Sequence, residues 1–377
     1  MKFIHTADWH LGRQFHNVSL LDDQGAVLEQ FIAYVEANPV DAIVIAGDIY
    51  DRSVPPTRAI ALLDEVLEAL CERLNTPVIM IPGNHDGAQR LGFAAKRMKN
   101  SGLYIISDYD SMLEPVVLTD EQGQSVAFYG LPYSDPEQAS EFLQQPVKDH
   151  DQAHQALVAR ILADADPQMK KVLIAHCFVD GAIESDSERP LSIGGADQVS
   201  HEHFLPFDYT ALGHLHQPQK KGTDTIRYSG SLMKYSFSEQ HHNKGFTLVD
   251  IRANGIELTH CPLNAPHNMR ILEGEMATLL AQGQHDPGRE DYLLVRLLDK
   301  HAILNPMDKL RQVYPNVLHL EKPGMNIGEE QPLNFDGLAR SELDMFNDFY
   351  REVQQAELTE PQKEALTTLI QQMTDDV

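Results

Sequence analysis

The chain has 377 residues, a formal net charge of −26 and a sequence pI of about 4.9. That is longer than one average core fills, so one large domain with smaller pieces is expected, and the charge excludes a protein that grips nucleic acid by bulk electrostatics alone. Three separated cysteines without a CxxC pair, no apolar run of signal-peptide length and no stretch near the roughly 18 apolar residues of a membrane span predict a cytoplasmic protein without a disulfide framework.

The first element is the apolar run FIHT (3–6), which ends in Ala7-Asp8-Trp9-His10. Residues 22–37 follow with Val27, Phe31, Ile32 and Val35 at helical spacing. AIVIA (42–46) runs into Gly47-Asp48. Over 57–74, Ile60, Leu63, Leu67, Leu70 and Leu74 recur at three or four residues, which predicts an amphipathic helix. VIMI (78–81) then runs into PGNHDG. Further strands are expected at 126–133, at 171–178 ending near His176, at 208–216 ending in His214 and His216, at 225–230 and at 244–251. Strand and helix alternate as in βαβ units of an α/β fold, and ligands gather at the carboxyl ends of such strands. All of these strand ends are assigned to one buried sheet. After Pro262 the pattern predicts a small α+β domain over 263–322 and a Gly/Pro/Asn-rich linker over 323–337. A helical tail is expected over 338–377. One pattern carries Leu343, Phe346, Phe349, Tyr350 and Val353, and a second carries Ala365, Leu366, Leu369, Ile370 and Met373.

Five strand ends thus deliver Asp8, His10, Asp48, Asn84, His85, His176, His214 and His216. In Asp8-x-His10 and His214-x-His216, a spacing of two on an extended segment would present both side chains to one ion. Mixed carboxylate, imidazole and amide donors suit Mn, Fe or Zn better than Mg or Ca. The set is too large for one tetrahedral zinc, and a carboxylate can bridge two ions. Taken singly, each pair reads as chance and GNHD as a turn; together they point to a metal centre.

The order ADWHLG, AGDIYDR, PGNHDG, IAHC, GHLHQP resembles that of the calcineurin-like metallophosphoesterases and spans about residues 1–250. HTADWHLG, SDSERPLSIGGADQVS (185–200), ALGHLHQPQ and RYSGSLMKYSFSE (227–239) resemble one branch, the nuclease subunits of bacterial DNA-processing complexes. The resemblance implies a metallophosphoesterase β-sandwich core flanked by helices (1–262), a capping domain that recognises DNA (263–322) and a tail that binds an ATPase partner. It implies two divalent ions, with manganese expected. Asp8, His10 and His216 would hold the first, Asn84, His176 and His214 the second, and Asp48 would bridge them. His85 would stay unligated and act on the substrate, oriented by Asp51, where archaeal and eukaryotic relatives carry a histidine. The implied activity is exo- and endonucleolytic cleavage of DNA; the alternative is hydrolysis of a small cyclic nucleotide. Arg189, Arg227 and Lys234 are candidate contacts to the DNA backbone, Lys220-Lys221 reads as solvated, and the helix over 57–74 is a candidate homodimer face. His5, His16, His241 and His242 read as packing or surface residues.

Overall fold

The computed structural model describes residues 1–188, 198–323, 346–347, 350–351 and 357–375. Arg189, positions 324–337 of the expected linker, and Leu343, Phe349 and Val353 of the first tail pattern lie outside them. The chain divides into two compact units, Met1–Arg270 and Ile271–Val377.

In the first unit the strand ends belong to two six-stranded sheets rather than one. The first sheet runs Gly255–Pro262, Gly245–Arg252, Lys2–Thr6, Ala42–Ala46, Val78–Ile81, Leu103–Ile105, and the last four of these are parallel. The second runs Gln219–Lys221, Thr223–Tyr228, Tyr209–Gly213, Lys170–His176, Ser125–Leu131, Val116–Thr119, with its four middle strands parallel and an antiparallel strand at each edge. Period and length alone do not tell which sheet a buried strand joins, so the division was invisible in sequence. Ala42–Ala46 and Val78–Ile81 lie against Lys170–His176, which makes the sandwich. Strands covered on both faces read as unbroken apolar runs, and every residue of AIVIA and VIMI is buried. Phe3 crosses between the sheets, with ring centroids 5.3 Å from Phe128 and 5.7 Å from Tyr209, edge to face.

The helix expected near 22 spans Leu21–Ala37, and the one at 57 spans Thr57–Leu67 before widening into π-type turns over Glu68–Arg73. Helices Pro136–Leu143 and His150–Ala163 and the edge strand Gly255–Pro262 were not expected. Residues 263–270 stay with the first unit, since Gln30 bonds Asn264 and His267 pairs with Asp23. That moves the division past the expected boundary at 262.

The second unit holds a sheet in the order Met269–Gly274, Tyr292–Leu297, Val317–Glu321 with helices Met276–Gly283 and Pro306–Arg311. Met276, Leu279, Leu293, Val295, Leu310 and Tyr314 form its core. The tail helix spans Glu360–Asp375. Leu369 on it is 57% exposed.

Candidate metal centre

His176 ends the strand Lys170–His176, the other expected ligands stand past their strands, and four of them sit on sharply bent backbone. Asp8, His10, Asp48 and His214 have φ of 53°, 44°, 48° and 106°. L-residues enter this region at a cost of about 1–2 kcal/mol each, so the packed sheets must hold them there. The DxH and HxH pairs are therefore not extended, contrary to the simple alternation argument. The loops after Lys2–Thr6 and Ala42–Ala46 run side by side, with Asp8 N–H donating to Gly47 O (3.1 Å) and His10 N–H to Asp48 O (2.9 Å). The GNHD loop is tied to the same place. His85 N–H donates to Asp48 Oδ1 (2.8 Å). The Asp86 carboxylate accepts from Ile49 N (3.0 Å), Tyr50 N (2.9 Å) and Gly83 N (2.9 Å). Gly83 is required by close approach, because a Cβ there would sit 2.2 Å from Asp48 Oδ1.

Side chains from the two sheets converge in three groups, each with ligand atoms within 4.8 Å of one another: Asp8, His10, His216; Asp48, His176, His214; and His10, Asp51, His85. Asn84 joins the second, with Oδ1 3.0 Å from His176 Nε2 and 3.2 Å from His214 Nδ1. Asp48 stands between groups, Oδ2 being 3.6 Å from His10 Nε2, 3.5 Å from His176 Nε2 and 4.0 Å from His85 Nε2. His214 and His216 thus go to different groups instead of presenting two donors to one ion.

The donor chemistry fits cations. His176 donates Nδ1–H to Ala46 O (2.9 Å), so Nε2, the atom facing the acceptor oxygen of Asn84, is the one that holds either a proton or an ion. His10 and His216 bring two Nε2 atoms within 3.0 Å. Lone pairs aimed at one another repel unless a proton or a cation lies between them. His10 Nδ1 is buried without a hydrogen-bond partner.

The charges agree. Burial pushes the Asp8 carboxyl up to about 7, against the pull of His176 and His216. Burial acts the same way on Asp48, but His176, His10 and His85 override it and hold its carboxyl well below the usual range. Burial alone would lower His176; Asp48 and Asp8 reverse that and raise it to about 9. Burial drives His10 well below its ordinary value and His214 to about 3. Asp48 draws positive charge inward while His10 and His214 stay neutral, as ligands must.

His85 requires a correction. Its Nδ1 bonds the backbone carbonyl of Asp51 (2.8 Å), not the carboxylate. The Asp51 carboxylate faces Arg13 Nη1 (3.3 Å) and His10 Nδ1 (3.8 Å). The family resemblance implied the pairing of Asp51 with His85 but could not say which oxygen faces the ring.

Several residues at the centre escaped sequence reasoning. Gln24 is buried, donates to His10 O (2.8 Å) and accepts from Gly12 N (3.0 Å). Arg13 lies over the Tyr235 ring at 5.2 Å and donates to Ser187 O (3.0 Å). Ser187, Glu188 and Glu239 fall in the branch motifs, which were the available signal; nothing in the pattern marked Gln24. Of the expected DNA contacts, Arg227 lies on the strand Thr223–Tyr228 near Asp224 O (3.5 Å), and Lys234 Nζ is held by Gln240 O (2.5 Å) and Asn268 Oδ1 (2.8 Å). Lys220 pairs with Asp224 on the surface. His5 is packing: it is fully buried between Tyr209 OH (2.9 Å) and Leu212 O (3.1 Å).

A family model for calcineurin-like phosphoesterases matches residues 1–218, and one described as the type 5 capsule protein repressor C-terminal domain matches 265–354. The chain is 34% identical over 380 residues to the SbcD component of the SbcCD nuclease of Staphylococcus epidermidis, covering 100% of this chain and 99% of that one. Crystal structures of a Thermus thermophilus protein and of a dimetal phosphatase from Danio rerio align at 16% and 12% identity, each with a TM-score of 0.41. They cover 69% and 70% of this chain and 98% and 96% of theirs.

Proposed function

The chain belongs to the calcineurin-like phosphoesterases and, within them, to the SbcD family, and from this we propose that it is a manganese-dependent DNA phosphodiesterase with exo- and endonuclease activity. The observation that carries the reading is the pair of ligand groups with Asp48 between them and His85 alongside. Asp8, His10 and His216 would hold one ion, Asn84, His176 and His214 the other, and Asp48 would face both. Two divalent ions, when bound, supply an activated water and neutralise charge building on the phosphate.

The remaining work belongs to the chain. Asp51 O holds Nδ1–H of His85, so Nε2 is the atom free to exchange a proton. His85 hands that proton to the departing sugar oxygen, which otherwise leaves as an alkoxide. Asp86 and Gly83 fix the loop that carries His85 and Asn84, so both arrive together. Arg13, beside Asp51, and Arg189 are the cations we propose for contact with DNA.

The relative's name joins it to an SbcCD complex. We extend that to this chain: an SbcC-like ATPase docks on the tail, through a helix whose Leu369 is exposed, and supplies DNA affinity that a charge of −26 denies the chain. Copies pair through the helix Thr57–Leu67, whose Ile60 is 47% exposed beside a groove of about 420 Å³ lined by Leu63, Leu67, Leu91 and Phe93. The complex works in the cytoplasm on DNA ends in repair.

The test is turnover of duplex DNA against a cyclic nucleotide with manganese, for the wild type and His85→Ala. DNA cleavage should dominate and fall by about 10²–10⁴-fold in the variant. Preference for the cyclic nucleotide would favour the alternative, a small-molecule phosphodiesterase.

A further inference from the structure

His216 is gripped by a buried chain of polar groups that the proposed mechanism does not use. Its Nδ1 lies 2.6 Å from Ser187 Oγ, which lies 2.5 Å from Glu239 Oε1. Glu239 Oε2 is 2.5 Å from Lys244 Nζ. All four residues are buried, Glu239 completely.

Chemistry fixes the direction of the protons. The Lys244 ammonium forms an ion pair with Glu239 and donates to His216 O (2.7 Å) and Ser231 Oγ (2.8 Å). Glu239, facing that ammonium, is a carboxylate and can only accept. Ser187 has one O–H, and it goes to Glu239. Its oxygen can then only accept from His216, which must carry its proton on Nδ1. The Nε2 lone pair is left bare, 3.0 Å from His10 Nε2. The adjacent Glu188 accepts from His216 N through Oε1 (2.7 Å), so neighbouring residues of one segment hold both the ring and the backbone of His216.

We infer that Ser187, backed by Glu239 and Lys244, is a positioning residue that locks the His216 tautomer and thereby sets the affinity of the group Asp8, His10, His216 for its ion. This rests on the two-ion reading of the centre. Partners that orient a ligating histidine fix its tautomer and raise its basicity, and losing one costs roughly 10–100-fold in metal affinity.

The experiment uses the full chain labelled with ¹⁵N-histidine and freed of metal, at a pH where imidazole is neutral. Two-bond ¹⁵N–¹H spectra should show wild-type His216 protonated on Nδ1 and Ser187→Ala shifted toward the Nε2–H form. Manganese titration followed by electron paramagnetic resonance should show one of two sites weakened roughly 10–100-fold in Ser187→Ala, and restored in Ser187→Thr. An Nε2–H tautomer in the wild type, or unchanged binding at both sites in Ser187→Ala, overturns the inference. A wild-type chain that bound no manganese would instead count against the two-ion reading, and the tautomer spectrum would still decide the lock.

Discussion

At the scale of single residues, His85 and Asp51 differ in what a substitution removes. Alanine at 85 removes the group we propose as proton donor. Asparagine at 51 keeps the carbonyl that orients the ring and removes only a carboxylate bonded to Arg13. Asp51→Asn should therefore cost at most about 10-fold in kcat, well short of the ~10²–10⁴ for His85→Ala. Equal losses in a side-by-side assay would restore the carboxylate as the orienting group. The ligands carry a pH signature as well. Without a cation, His176 keeps its proton to about 9 and Asp8 to about 7. Metal uptake must displace those protons, so it should release protons at neutral pH. Apparent affinity should then rise as pH climbs through about 7 toward about 9, and fall below. Calorimetry in buffers of different ionisation enthalpy measures the release, and pH-independent uptake would contradict the charge reading.

At the scale of elements, the loops matter more than the strands they follow. The GNHD loop looks like a turn because it is one, and its glycine and Asp86 serve the packing rather than the chemistry. Asp86 collects three backbone donors that would otherwise be buried unpaired, each worth about 1–3 kcal/mol if orphaned. Gly83→Ala places a methyl 2.2 Å from Asp48 Oδ1 and 2.5 Å from Asp48 N. The neighbours there are a buried carboxylate tied to His85 N and backbone, so neither yields. Thermal unfolding should show a loss of about 3 kcal/mol, with metal uptake impaired along with it. Wild-type melting with normal uptake would mean that the loop gives more than its contacts suggest. How much of this was readable follows the same division. Asn84 and His85 were legible from residue type and position. Their anchoring was not, because a carboxylate that caps backbone amides leaves no period in the sequence.

At the scale of the whole molecule, the acidic charge and the exposed tail leucine belong together. A chain of net −26 holds polyanionic DNA poorly unless cations or a partner intervene. A chain ended at residue 337 should keep its melting temperature and its proposed manganese uptake while losing co-purification with the ATPase partner we propose. Retained partner binding by the shortened chain would move the docking surface elsewhere.

What the sequence determined by itself was the family, the α/β class and the residue types at the ends of the strands it predicted, because buried strands read as apolar runs and their ends as turn residues. What only the tertiary structure decided was which sheet each strand joins, which group each histidine serves, and which oxygen of Asp51 meets His85. Those are set by long-range packing and by left-handed backbone at Asp8, His10, Asp48 and His214, neither of which has a period that a sequence displays.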